Sequence, residues 1–229
     1  MRRVDAWLKG ALAKPDELSR RFTVAGLVPR GGAVQGLSAM KSETAPFLSG
    51  KLLLAMPGMA DPRFERAVIA LCVHDENGAV GIGIGQKRAG MRFRALLQQL
   101  EIDPGEAPDC AVHHGGPVEP GRGFVLHSTD WGGQDTLQIN GSDGSSFGMT
   151  GTIDVLKAIA EGKGPSQWIA ALGYAGWGDG QLDEEMTRHG WFAADANATI
   201  LFDTPTDERW AAAFKAEGID PRLLASETG

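Results

Sequence analysis

From Leu48 onward, apolar residues fall into short runs and stripes separated by glycine, proline and asparagine, a pattern that predicts strands and helices without regular alternation. LSGKLLLAM reads as a strand. In DPRFERAV, Asp61 caps a short helical turn and Pro62 takes its first position. AVIALCVHD and AVGIGIG flank Glu76-Asn77-Gly78, and Asn-Gly between apolar runs predicts an antiparallel hairpin. MRFRALLQQLEI sets Phe93, Leu96, Leu97 and Leu100 on one helical stripe. The strands AVHH and GFVLHST enclose the turn GGPVEPGR, and TLQIN adds another strand before a Gly/Ser-rich loop, Gly141 to Ser146.

In the second half, Thr152 opens a helix whose Ile153, Leu156 and Ile159 face the core, and Gly162 and Gly164 stop it. WIAALGYA fits a strand or a buried helix equally well, because periodicity does not separate the two. The stretch GYAGWGDGQL, Gly173 to Leu182, interleaves four glycines with Tyr174 and Trp177 and reads as a shaped loop. Its aromatics either staple the loop to the core, the favoured reading, or present a binding face. QLDEEMTRH places acids in the first turn and bases in the last turn of a helix. ATILFD reads as a buried strand. TPTDERWAAAFKAEG is a helix with Thr204 as cap and Pro205 first, stacking Trp210 over Phe214 and ending at Gly218. The sum is one α+β domain, not a doubly wound sheet.

Composition adds limits. The chain has 229 residues, enough for one sizeable domain, and a formal charge of −7, which opposes generic attraction to nucleic acid or anionic membrane. Residues 1–40 carry seven Lys or Arg against three Asp or Glu, a local +4 that leaves −11 for the remainder. Arg30 to Pro46 is small and polar and reads as a linker. Residues 1–46 are therefore expected to be a basic arm and linker, or the product of a misassigned start with Met40 as initiator, and residues 47–229 the folded domain. The arm is a poor secretory signal, no run is long enough to span a bilayer, and two distant cysteines suit the cytoplasm.

Four blocks together resemble the AlgH/YqgE family of bacterial proteins: LLLAMPGMADPRFERAVIALCVHDENGAVGI, HHGGPVEPGRGFVLHS, LGYAGWGDGQLDEE and ILFDTPTDERWAAAF followed by GID. The resemblance covers Phe47 to Leu224. It implies a compact α+β fold with a bent, largely antiparallel, barrel-like sheet and packed helices, and a label as transcriptional regulators with no settled activity. The chain departs from the family at Gly85-Gln86-Lys87-Arg88, where an Asn-Arg-Pro-type ending is usual.

Candidate chemistry is sparse. His113 and His114 point to opposite faces of one strand, so at most one of them joins His127, and no ligand spacing for a metal is present. His127 and Ser128 with a nearby carboxylate sketch a hydrolase, but without a nucleophile elbow. The glycine runs lack phosphate-loop and dinucleotide spacing, so no cofactor is implied. Cys72 reads as a small buried hydrophobe, and Cys110 beside Asp109 shows no activated thiolate. The expected functional surface is where the GGPV turn and the GYAGW stretch meet, with Gly115, Gly116, Pro117, Arg122, His127, Tyr174, Trp177 and Gln181 as ligand- or partner-binding candidates. The function implied is a non-enzymatic cytoplasmic regulator acting through protein or ligand binding. Alternatives are a small-molecule or peptide-binding domain and a hydrolase using His127 and Ser128. Duplex DNA and membrane are not expected as partners of the folded body.

Overall fold

In the computed structural model, which describes residues 47–59, 61–133, 135–141 and 144–224, the chain first lays down an antiparallel meander. Strand β1 (Lys51–Ala55) pairs with β2 (Val68–Asp75), and β2 with β3 (Gly78–Gly83). The expected Asn-Gly turn closes the hairpin, with Asn77 N–H donating to Asp75 Oδ1 at 2.8 Å. A single-turn helix, Pro62–Phe64, separates β1 from β2, and Asp61 caps it as its sequence requires. The expectations for residues 1–46 lie outside the described residues.

The next strands, β4 (Lys87–Arg92), β5 (Ala111–His114), β6 (Val118–His127), β7 (Thr136–Asn140) and β8 (Ser146–Thr150), precede the ten-residue β9 (Trp168–Trp177) and the edge strand β10 (Trp191–Asp195). The main path runs β10-β1-β2-β3-β9-β6-β8-β7, with β5 lying parallel to β9 and β4 paired to β5. Strand β9 organises this arrangement. One of its edges pairs with β6, while the other takes β5 near Ala171 and β3 near Gly176. The sheet stays open between β10 and β7, so the expected barrel-like sheet is an open one.

Both faces are covered, which explains why β1 is apolar at consecutive positions instead of alternating. Leu52 and Leu54 join Ile82, Leu126, Phe147 and Phe214 in one core. Leu53 and Ala55 face a second, with Trp177, Leu182 and Trp191. A third core lies under helices α1 (Phe93–Gln99) and α2 (Ile153–Ala160), where Phe93, Leu97, Leu156 and Ile159 are buried as their helical stripes predict. Helices α3 (Gln181–Thr187), α4 (Arg209–Ala216) and the short α5 (Pro221–Leu224) follow.

Three local expectations are corrected. Gly173 to Trp177 is the last half of β9, not a loop; only Gly178 to Gly180 turns, with Gly180 left-handed at the start of α3. ATILFD is not a strand: Thr199–Asp203 forms a π-helical turn, nucleated by Asn197, whose Oδ1 and backbone O accept from Ile200 and Leu201 N–H. Helix α4 starts at Arg209, after a turn through Glu208; Thr204 does not cap it but donates its hydroxyl to Thr199 O.

Candidate functional site

The GGPV turn and β9 do meet, and the glycines are the reason. A Cβ on Gly115 would lie 2.1 Å from Gly173 O, and one on Gly116 would lie 2.1 Å from the Tyr174 carbonyl carbon. Here the β6–β9 register breaks between Val118–Tyr174 and Gly123–Leu172, so two backbones cross with no room for side chains. Beside Gly115, Gly116 and Pro117 lies a cavity of about 40 Å³, room for little more than one water. Tyr174 packs edge-on to Phe124, and Arg122 pairs with Glu119 at 3.1 Å and lies over the same Phe124 ring. These candidates are brought together, as parts of one crossing.

The remaining candidates lie elsewhere. Trp177 is buried and donates its indole N–H to Glu185 Oε2 at 3.0 Å; Trp191 donates to the same oxygen at 2.8 Å. Gln181 completes the knot, accepting from Gly178 N–H and donating to Glu185 Oε1. His127, fully buried at the far end of β6, contacts Ser128 O through Nδ1 at 2.8 Å and Thr150 Oγ1 through Nε2 at 2.9 Å. Burial holds its pKa down. The Ser128 hydroxyl instead donates to Asp130, so His127 and Ser128 form no nucleophile–base hydrogen bond. Burial pushes the Cys72 thiol up to about 12 and raises that of Cys110 as well. Among the described residues no group of three or more His, Cys, Asp or Glu is placed to hold a metal.

The roomy concavity is a trough of about 910 Å³ that open solvent reaches. One wall is Glu65, Arg66, Gly85 and Gln86; the other is Thr206, Asp207 and the α4 stripe Ala211 and Lys215, continuing to Arg222. Arg66 adopts a left-handed φ of 51°, rare for a branched-free but Cβ-bearing residue, and holds its guanidinium 5.7 Å from the Trp210 ring centre. Trp210 is anchored by its indole N–H to Ala55 O.

Behind the trough sits a polar knot. Arg209, only 3% exposed, donates through Nε to Ile200 O, through Nη1 to Ile84 O and through Nη2 to Thr204 O. Among the described residues it has no carboxylate partner, and burial lowers its pKa to about 10. His113, from β5, meets Thr206 Oγ1 through Nε2 at 3.1 Å, while its Nδ1 has no hydrogen bond of normal geometry among the described residues and the Ala170 backbone is a weaker polar neighbour of the ring. Burial, then the nearby Arg209 charge, lowers its pKa from 6.5 to about 4. Sequence reasoning left Arg209 out of the candidates. Its signal is a charge four residues before the buried Ala213, on the apolar side of α4.

His113 predicts a pH dependence. As pH falls through 6.5 the unfolded chain takes up a proton that the folded protein refuses until about pH 4. Stability from this group is thus full above pH 6.5 and declines between 6.5 and 4, by about 3 kcal/mol in all. Denaturant unfolding at stepped pH should show this decline, and His113→Gln should make it shallower, leaving the part contributed by His127, which burial also holds down; an equal slope in the variant would remove His113 as a source.

Among the described residues no helix is long and apolar enough to cross a membrane. The AlgH-like family model matches residues 52–222. A UPF0301 protein of Novosphingobium aromaticivorans is 58% identical over 185 residues, 81% of this chain and 97% of that protein. A UPF0301 protein of Sphingopyxis alaskensis is 52% identical over 82% of this chain and 98% of its own. The solution structure of AlgH from Pseudomonas aeruginosa superposes with a TM-score of 0.66 at 38% identity, covering 83% of this chain and 99% of that one. A Corynebacterium diphtheriae crystal structure, 21% identical over 80% of this chain and 93% of its own, shares the fold with a TM-score of 0.63. With a matching model across most of its length and relatives of this identity, the chain belongs to the AlgH-like family.

Proposed function

We propose that the protein is a non-enzymatic cytoplasmic binding module, a regulator that engages a protein segment or small ligand in the trough between the Arg66–Gln86 wall and α4. One observation carries this reading: the histidine and serine offered for catalysis are tied into the fold, whereas the trough is lined largely by exposed side chains around Trp210. The trough shares Gly85 and Gln86 with the small cavity at the glycine crossing, so the expected surface and the trough adjoin. Regulation through duplex DNA is not part of the proposal, because phosphate contacts need clustered cations and the chain is acidic.

A thermal-shift screen of metabolites and short peptides tests it. A ligand at about a hundred times its Kd adds roughly 2.7 kcal/mol to stability. The gain is expected to disappear in Ala211→Trp, which fills the trough, and to survive in Ser128→Ala. Turnover of any hit that depends on His127 or Ser128 would overturn the proposal in favour of the hydrolase.

A further inference from the structure

The Trp210 ring is a fixed platform on one wall of the trough. Its indole N–H donates to Ala55 O at 2.9 Å, and the Phe214 ring stands nearly perpendicular to it at 5.0 Å between ring centres. Over it, 5.7 Å from its centre, lies the guanidinium of Arg66, an exposed side chain of the opposite wall that meets no carboxylate among the described residues. The turn that aims this side chain does not itself call for arginine. At a φ of 51° glycine or asparagine would be less strained, so the cation is set over the ring against the backbone's preference. The contact between Arg66 and Trp210 therefore spans the trough and covers its aromatic floor.

An exposed cation–π contact is weak, so a second cation can take the place of the first. The charges around the ring favour that exchange. On the lining, Asp220 and Arg222 pair with each other, whereas Glu65 on the wall of Arg66 and Asp207 on the wall of Trp210 have no ion-pair partner among the described residues. Glu208 follows Asp207 and adds a further exposed acid. With Arg66 turned into solvent, only Lys215 opposes these carboxylates on the lining. We propose that Arg66 is a built-in stand-in for a ligand: the trough takes a basic segment of a partner protein, one arginine or lysine of which displaces the Arg66 guanidinium from the Trp210 face, with Glu65 on one wall and Asp207 on the other to meet its charge. The formal charge of −11 that remains once residues 1–40 are set aside draws such a partner in. A chain segment suits the site better than a small molecule, because the lining comes from two sides and open solvent reaches it, whereas small ligands are enclosed over most of their surface. This inference rests on the trough being the binding site proposed above.

The test is an NMR titration of the full-length, isotope-labelled protein with tetraarginine, tetraglutamine and argininamide. Tetraarginine should shift the Trp210 indole N–H and the Gln86 and Ala211 amides, and added salt should weaken its binding. Arg66→Gly, which clears the ring and relaxes the backbone, should bind it about two- to fivefold more tightly, the equivalent of one exposed cation–π contact. Asp207→Asn should bind it about two- to fivefold more weakly. Arg66→Asn, whose side chain also tolerates this backbone, replaces the glycine variant if that variant unfolds. Unchanged or weaker binding by the folded Arg66 variant would overturn the stand-in. Equal binding of tetraglutamine at the same residues would overturn the cationic specificity while leaving the trough as a binding site. Argininamide binding as tightly as tetraarginine would overturn the polypeptide assignment in favour of a small cation. Shifts at these residues that grow with protein concentration alone would put a second copy in the trough and overturn the partner assignment. Silence at the trough with every probe would overturn the inference, and the Ala211→Trp thermal-shift result would then decide separately whether the trough binds anything.

Discussion

Trp177→Ala should lower the stability of the fold by about 3 to 5 kcal/mol, the usual loss on deleting a buried large aromatic. The indole is 8% exposed, stands edge-on to Trp191 at 6.0 Å between ring centres, and shares Glu185 with it. Removing it opens a cavity between β9 and α3 and takes one donor from a carboxylate that two indoles and an amide hold in place. Trp177→Phe keeps most of the packing and drops the N–H, so its loss should be nearer 1 to 2 kcal/mol. Guanidinium unfolding of both variants measures this. A loss below about 1 kcal/mol for the alanine variant would place Trp177 outside the core and make it a binding face instead.

A comparable loss is expected from Arg209→Met. Methionine fills much of the arginine's volume but leaves the carbonyls of Ile84, Ile200 and Thr204 without their donor, at about 1 to 3 kcal/mol for each one stranded. Relief of the buried charge offsets part of this, so a net loss of about 4 kcal/mol is the expected result. Arg209→Lys should recover little, since a compact ammonium does not fork to three separate segments. A lysine variant as stable as the parent in urea unfolding would mean that the charge, not the fork, is what the knot requires.

Much of the fold was legible because its signals are local. The Asn77-Gly78 turn, the Asp61 cap and the stripe of Phe93, Leu96 and Leu97 each state their geometry within a few residues. Where the reading failed, the deciding partner was distant or the pattern was blank. Strand β4 has no buried residue to mark it, and β8 follows a Gly/Ser run. The glycines of GYAGW imitate a loop because the backbone they must admit, at Gly115 and Gly116, lies more than fifty residues upstream. Of the candidate site, the meeting of GGPV and β9 was anticipated, but its tight backbone packing explains the residues without a ligand. The trough escaped notice because Arg209 and Ile84 are 125 positions apart, and no local pattern announces that contact.

The place of β9 in the sheet also sets the order in which the protein can be completed. Strands β3, β5 and β6 all rest on a segment that is made only at residues 168–177, and the partner of β1 on its outer edge follows at 191–195. During synthesis the early hairpin must wait, with one flank bare, until most of the chain has left the ribosome. Such long-range closure is slow and exposes unpaired edges. Acquisition of the native state on the ribosome should therefore come as a late, single step, after β9 and β10 emerge, and chains stopped before Trp168 should remain protease-sensitive.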